Sequence, residues 1–135
     1  MTGPDAAMLA PAAMLARFIA GGGEENLAGF ASHDVTILEN FAPHLFRGAD
    51  AVTAWAGAMR AHTRDLGGLV HSFGAAQDFA ADGDGVFFTL PTHWSGTVRG
   101  RRFEEDGGWS FLLRREAGAW RVRAYAWAVT HIATS

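Results

Sequence analysis

The sequence predicts an α+β fold in which about three N-terminal helices pack against a mostly antiparallel sheet. Apolar residues recur with helical spacing in the first half, strand-like runs joined by turn signals fill the second half, and no linker interrupts the 135 residues. Helices followed by hairpin-linked strands are typical of α+β domains. A helical part this short cannot bury its own apolar stripes, so we expect a single domain over residues 1–135.

The helices are predicted from their end signals and their apolar stripes. The first is expected to begin at Pro11, a residue that suits the first helical turn, and to end at Gly21. Residues 1–10 are rich in Ala, Met and Pro, and we expect them to be disordered. A short second helix over 24–32 carries acidic residues at its positive end. A third opens after Asp50, and its stripe is formed by Val52, Trp55, Ala56 and Met59.

The strands are predicted from short apolar runs between Gly- and Asp-rich turn signals. The first follows the second helix, over 35–41. Turn signals at 82–85 and 116–119 mark two hairpins in the second half of the chain. The remaining expected strands lie near 69–80, 85–96, 97–105, 108–116 and 119–130.

Glu39 is the main candidate for chemistry. Side chains alternate along the run 35–41, which places Glu39 on the same apolar face as Ile37. A carboxylate among apolar neighbours is costly to ionise, so we expect its pKa to be raised, as suits proton transfer near neutral pH. The alternative is a structural carboxylate on an edge strand, paired with Arg47 or Arg123.

Three stretches resemble the nuclear-transport-factor-2-like superfamily, in its SnoaL-like and ketosteroid-isomerase-like branch. Residues 17–30 are similar to the family's first two helices, residues 33–48 to its first strand and the entry to its third helix, and residues 118–122 to its closing hairpin. The resemblance covers residues 11–130. It implies a cone-shaped fold in which a curved sheet wraps the helices and leaves a deep apolar pocket. Many members form a homodimer through the outer sheet face.

The resemblance also implies roles for individual residues. Ketosteroid isomerases use an Asp base and an oxyanion hole made of a Tyr and a protonated Asp. Glu39 falls at the position of the base, and Trp109 falls near the protonated Asp, so we expect these two residues to be catalytic. An indole N–H donates one hydrogen bond. Phe18 stands in place of the Tyr, and losing an oxyanion donor costs about 10²–10³ in rate, so ketosteroid isomerisation itself is not expected.

An aromatic wall is the second functional signal. A wall of large rings suits a flat apolar ligand. The alternative is that the same rings fill the cone and leave no pocket. His44, in the loop after the first strand, and His62, at the end of the third helix, are candidate auxiliary groups for proton transfer. By alternation and the family pattern, the expected pocket-lining residues are Phe18, Trp55, Leu90, Thr92, Trp94, Tyr125 and Trp127.

Composition limits the partners. The net charge of −3 argues against nucleic-acid binding. We expect no membrane span and no secretory leader, and hence a cytoplasmic protein. Without Cys or a tight His spacing, we expect no metal and no cofactor. Small residues along the last strand are expected to form an outer face that packs on a second copy, and they are Val122, Ala124, Ala126 and Ala128.

Three functions remain open from the sequence. The first is a cofactor-free isomerase, dehydratase, cyclase or hydrolase that acts on a small apolar carbonyl, hydroxyl or epoxide compound through Glu39. The second is a binding module that holds an apolar molecule without reaction. The third is a structural or interaction protein, dimeric and with a filled core. The scaffold alone does not choose among them, because one fold hosts many activities.

Overall fold

Two α-helices, one 3-10 helix and one seven-stranded sheet make up the computed structural model, which describes residues 3–135. Helix α1 spans Ala6–Ile19, the 3-10 helix spans Glu24–Gly29, and helix α2 spans Ala51–His62. The strands are β1 Thr36–Leu38, β2 Leu45–Phe46, β3 Leu66–Phe73, β4 Gln77–Asp82, β5 Gly85–Val98, β6 Arg101–Glu116 and β7 Ala119–Thr134.

The sheet is mixed but mostly antiparallel. Its strands lie in the order β2-β1-β7-β6-β5-β3, and β4 pairs with the first part of β5 beyond the reach of β3. Only the short β1 is parallel to its neighbour, β7, among the pairs of these strands. The predicted α+β class is confirmed. The helices pack on one side of the sheet and the other side faces outward.

Helix α1 begins five residues before Pro11, where the first helix was expected to start. Asp5 sets this earlier start, because its carboxylate accepts a hydrogen bond from the Met8 backbone N–H at 2.9 Å. Pro11 therefore lies inside the helix. Of the segment expected to be disordered, residues 6–10 are helical, whereas residues 1–2 lie outside the described residues.

Strand β6 is continuous, so the predicted boundary between strands at 97–105 and 108–116 is wrong. The chain turns instead at Arg99 and Gly100, whose φ values are 51° and 77°. Two successive residues with positive φ are typical of a tight two-residue hairpin. The expected strand over 69–80 is divided into β3 and β4 by residues 74–76, because the two halves pair with different parts of β5.

A β-bulge in β7 changes which residues face the core. Leu113 pairs with Val122 and Leu112 with Ala124, so Arg123 is an extra residue in the ladder. Val122 is fully buried, and the prediction that it shares the outer face with Ala124 is wrong. The bulge shifts the alternation by one residue, so that Tyr125 also points inward.

The core lies between the helices and the inner face of the sheet. Every second residue of β5 is buried over most of its length, as alternation requires. Aromatic rings dominate this interior, and the largest fully buried side chains are Trp55, Trp109, Phe18, Phe88 and Phe111.

Candidate functional site

The carboxylate of Glu39 is buried, with 7% of the residue exposed. Its Oε2 accepts hydrogen bonds from the indole Nε1–H of Trp55 at 2.8 Å and from the hydroxyl of Tyr125. Helix α2 supplies the first donor and β7 the second, so two distant segments hold one carboxylate oxygen. The partners of the Glu39 carboxylate are therefore an indole and a phenol, whereas the alternative of a structural carboxylate predicted an ion pair with Arg47 or Arg123.

The surroundings of Glu39 favour its protonated form. Burial raises the pKa of Glu39 above its ordinary value, and the hydrogen bonds from Trp55, Tyr125 and the Asn40 backbone oppose this rise. The nearby carboxylate of Glu105 adds a smaller upward contribution to that pKa. Burial, together with the Glu39 charge, raises the pKa of Tyr125 well above its ordinary value, so the phenol remains a hydrogen-bond donor.

A cleft opens to solvent beside Glu39, between the end of α2 and the inner face of the sheet. Its cavity volume is about 80 Å³, well above the ~10–15 Å³ that one water needs and below the ~300–1,000 Å³ of pockets for drug-sized ligands. The cleft therefore suits a compact group. Its main aromatic and acidic lining residues are Glu39, Phe41, Trp94, Phe103, Glu105, Trp109, Tyr125 and Trp127.

Trp109 lines the cleft and carries a buried hydrogen-bond donor without a partner among the described residues. Its side chain is buried, and its Nε1–H has no acceptor among the described residues. The ring lies 5.4 Å from Tyr125 and 6.1 Å from Trp127, centroid to centroid, and is nearly perpendicular to both. A buried donor without a partner costs about 1–3 kcal/mol, a cost that a ligand oxygen would remove.

Glu105 is a cleft residue that the sequence analysis did not identify. It lies on the inner face of β6, two residues from Phe103, and it is half-buried. Burial raises its pKa. Its neighbours Glu104 and Asp106 point the other way and are exposed, so alternation along β6 was the signal that distinguishes Glu105 from the rest of the acidic run.

The two candidate histidines differ in position. His62 lines the mouth of the cleft and stacks on Phe41 at 4.3 Å between ring centroids. Partial burial lowers its pKa, so the neutral imidazole predominates near neutral pH. His44 is exposed, and its Nδ1 lies 2.9 Å from the backbone carbonyl oxygen of Glu39. His44 thus contacts the loop that carries Glu39 and does not line the cleft.

The other predicted lining residues divide into two groups. Trp94, Tyr125 and Trp127 line the cleft together with Glu39 and Trp109. The second group lies in the core behind it, where Trp55 supports Glu39 and the Thr92 hydroxyl donates to the Leu90 carbonyl at 2.9 Å. The residues outside the lining are Phe18, Trp55, Leu90 and Thr92.

Within residues 3–135, no group of three or more His, Asp or Glu side chains is placed to hold a metal ion. Neither α-helix in that range is long and apolar enough to cross a membrane. The ionisable and hydrogen-bonding side chains that line the cleft include two carboxylates, indoles, a phenol and an imidazole.

No model of a known protein family matches the sequence, and no curated protein sequence matches it. Solved structures do match the fold. A hexachlorocyclohexane dehydrochlorinase, LinA-type3 from Novosphingobium barchaimii, superposes with a TM-score of 0.80 and 10% identity, over 96% of this chain and 88% of that one. The protein has a nuclear-transport-factor-2-like fold. The resemblance predicted from the sequence is thus confirmed at the level of the fold.

Two further structures with this nuclear-transport-factor-2-like fold are similar. A ketosteroid isomerase-like protein from Erwinia carotovora atroseptica matches with a TM-score of 0.70 and 19% identity, over 93% of this chain and 92% of that one. An NTF2-like protein with a cystatin-like fold from Novosphingobium aromaticivorans matches with a TM-score of 0.63 and 21% identity, over 87% and 78%. At identities this low, the structural superpositions establish a shared fold only. The activity has to be argued from the site.

Proposed function

We propose that the protein binds a compact, largely apolar molecule in this cleft and that Glu39 transfers a proton to or from it without a cofactor. The observation that carries the proposal is that one cleft is lined both by a buried carboxylate, Glu39, and by Trp109, whose buried Nε1–H has no acceptor among the described residues. The proposed reaction classes are isomerase, lyase, cyclase and hydrolase.

Glu39 would act as the acid/base group. Trp55 and Tyr125 both donate to Oε2, which fixes the carboxylate and leaves Oε1 free of side-chain donors among the described residues. A raised pKa makes the ionised carboxylate a stronger base than an ordinary Glu. Fixed geometry and a tuned pKa are the two properties that general-base catalysis needs.

Trp109 would stabilise the charge that develops on the ligand. When Glu39 removes a proton from the carbon next to a carbonyl, the C–H electrons move onto the carbonyl oxygen, which then accepts the Trp109 N–H hydrogen bond. Return of the proton to another carbon completes an isomerisation, and departure of a leaving group from the neighbouring carbon completes an elimination. Two neighbours in fold, named as a dehydrochlorinase and as ketosteroid isomerase-like, are in line with these outcomes.

Non-catalytic binding is the second candidate, and Phe18 favours it. The residue that stands in place of the family's hydroxyl donor is 1% exposed and packs on Trp55 at 5.5 Å between ring centroids. It cannot donate a hydrogen bond, so Trp109 would act without the second oxyanion donor. Such a cleft would hold a ligand and turn it over slowly or not at all.

We also propose that two copies pack through the outer face of the sheet. Leu38, Leu45 and Leu112 on this face are 47%, 45% and 40% exposed. Leu38 pairs with Leu45 and Ala126, and Leu112 pairs with Ala124, so the side chains adjoin one another in a single apolar patch. Apolar patches of this kind commonly mark interaction surfaces.

Hydrogen–deuterium exchange of a small ketone tests the catalytic proposal. When cyclopentanone is incubated with the protein in D₂O, the hydrogens next to its carbonyl should be replaced by deuterium. NMR measures the rate of this exchange. We expect Glu39→Gln to lower the protein-dependent exchange rate by about 10²–10⁴, since the amide cannot accept the proton. Glu24→Gln, a change in the 3-10 helix, is the matched control and should exchange at the wild-type rate.

The same samples distinguish catalysis from simple binding. Quenching of Trp fluorescence by the ketone should persist in Glu39→Gln when the variant binds and does not react. Unchanged exchange in Glu39→Gln would contradict the assignment of Glu39 as the base. Quenching without exchange in the wild type would favour the binding module.

A further inference from the structure

The ionisable groups that line the cleft are unbalanced in charge. Glu39 and Glu105 both line it, whereas no Arg is among its described lining residues and the chain contains no Lys. The nearest imidazole in the lining, His62, is mainly neutral because partial burial lowers its pKa. A ligand that enters therefore meets carboxylates without a competing protein cation.

Glu105 is flanked by two indole rings. Trp94 is its direct cross-strand partner on β5, so the two side chains stand next to each other on the inner face. Gly107 is the next inner-face residue along β6, and a Cβ placed there would lie 2.3 Å from the ring of Trp127. The Trp127 ring, which comes from β7, thus covers Gly107. It fills the space next to Glu105 on the inner face of β6.

A half-buried carboxylate between indole rings is a known recognition pattern for organic cations. The face of an aromatic ring attracts an ammonium group, and the attraction strengthens when water is excluded. The carboxylate supplies the opposite charge. A compact alkylammonium group also fits a cavity of about 80 Å³ better than an extended or polycyclic ligand does.

We propose that the cleft selects a compact organic cation that is apolar apart from one charged group, a quaternary or protonated amine, and that this group lies against Glu105 between Trp94 and Trp127. The inference rests on the small-molecule binding proposed above and names the class of ligand for that same cleft. Glu105 is here a specificity-determining residue, and Glu39 keeps its own role.

Choline and its uncharged isostere 3,3-dimethyl-1-butanol (dimethylbutanol below) form a matched pair of probes. The two molecules have the same shape, but a tert-butyl group in the alcohol replaces the trimethylammonium group of choline. Isothermal titration calorimetry should show that the wild-type protein binds choline at least about tenfold more tightly than its uncharged isostere. Glu105→Gln should remove most of this preference and leave the affinity for dimethylbutanol nearly unchanged.

Glu104→Gln is the matched control variant. Glu104 precedes Glu105 but points outward, where it bonds to His93 Nε2 at 3.1 Å. The control removes the same charge from the same strand, so it should keep the preference for choline. Equal loss of preference in both variants would overturn the role of Glu105, because it would indicate a long-range charge effect.

The wild-type measurement tests the inference even if a variant fails to fold. Equal affinity for the two probes would overturn the cation inference and leave the proposed small-molecule function intact. If the protein binds neither probe but still exchanges cyclopentanone, the cation inference is likewise overturned and the proposed small-molecule function stands. Binding of neither probe and no quenching or exchange with the ketone would overturn both proposals.

Discussion

At Glu39, folding replaces the water around a carboxylate with an indole, a phenol and apolar rings. The pKa of Glu39 is therefore higher in the folded than in the unfolded chain, with burial as the main cause. The native state then binds more protons than the unfolded state between the ordinary pKa of 4.5 and the raised value. The contribution of this group to stability is complete below pH 4.5 and is lost as the pH rises through the raised pKa.

Glu39→Gln should remove this pH dependence. The Gln side-chain oxygen can still accept from Trp55 and Tyr125, and the amide does not titrate. We therefore expect Glu39→Gln to gain stability relative to wild type as the pH rises above 4.5, by about 1.4 kcal/mol for each unit by which folding raises the pKa. Urea unfolding of both proteins between pH 4 and pH 8 measures the difference. Parallel pH profiles would show that Glu39 titrates normally.

Glu39 and Glu105 also show what could be predicted at the level of single residues. The burial of Glu39 follows from alternation in one short run, and the sequence predicted it. The inward position of Glu105 follows from alternation along β6 once the hairpin at Arg99 and Gly100 fixes where that strand begins. The apolar pattern alone does not mark this residue as inward, because three acidic residues follow one another at 104–106.

At the level of the elements, β6 and β7 carry much of the cleft, and Gly107 controls how they fit together. A Cβ on Gly107 would lie 2.3 Å from the Trp127 ring and 2.5 Å from the Ala128 carbonyl oxygen. Gly107→Ala must therefore displace the ring or the backbone of β7. We expect a loss of about 1–3 kcal/mol in stability and a changed near-ultraviolet circular dichroism signal from the Trp residues.

Gly108→Ala provides the matched control for this prediction. Gly108 faces outward, and the nearest atom to its added Cβ is a Thr89 methyl carbon at an ordinary 3.8 Å. We expect a change within about 0.5 kcal/mol, as for substitutions that break no contact, and an unaltered Trp signal. Equal effects of the two substitutions, measured by chemical unfolding, would contradict a specific role for the space above Gly107.

At the scale of the whole molecule, the order of helices and strands in the sequence was enough to predict the α+β class. The shape of the cleft could not be predicted from the sequence. The cleft depends on long-range pairing. Strand β1 lies parallel to β7, and the bond between Glu39 and Tyr125 joins residues 86 apart in the chain. Because no local pattern specifies such a pairing, alternation could mark inward residues without separating those that line the cleft from those that fill the core.

The outer face of the sheet leads to the last prediction, which concerns assembly. An interface between two copies buries about 800 Å² on each partner in a typical stable complex. In a two-fold dimer, a residue near the centre of the outer sheet face meets symmetry-related copies of its own surroundings. Leu112 lies on β6, between Phe87 on β5 and Ala124 on β7, so it is placed near the middle of the sheet.

Leu112→Glu should therefore convert a dimer into a monomer, since it places two carboxylates and their desolvation cost in one interface. Sedimentation equilibrium should give the mass of two chains for the wild type and of one for the variant. Ile132→Glu is the control, because Ile132 is 58% exposed but pairs with the inward-facing Glu105, on the other side of the sheet. A monomeric wild type, or an equal change of mass in both variants, would contradict the outer-face dimer.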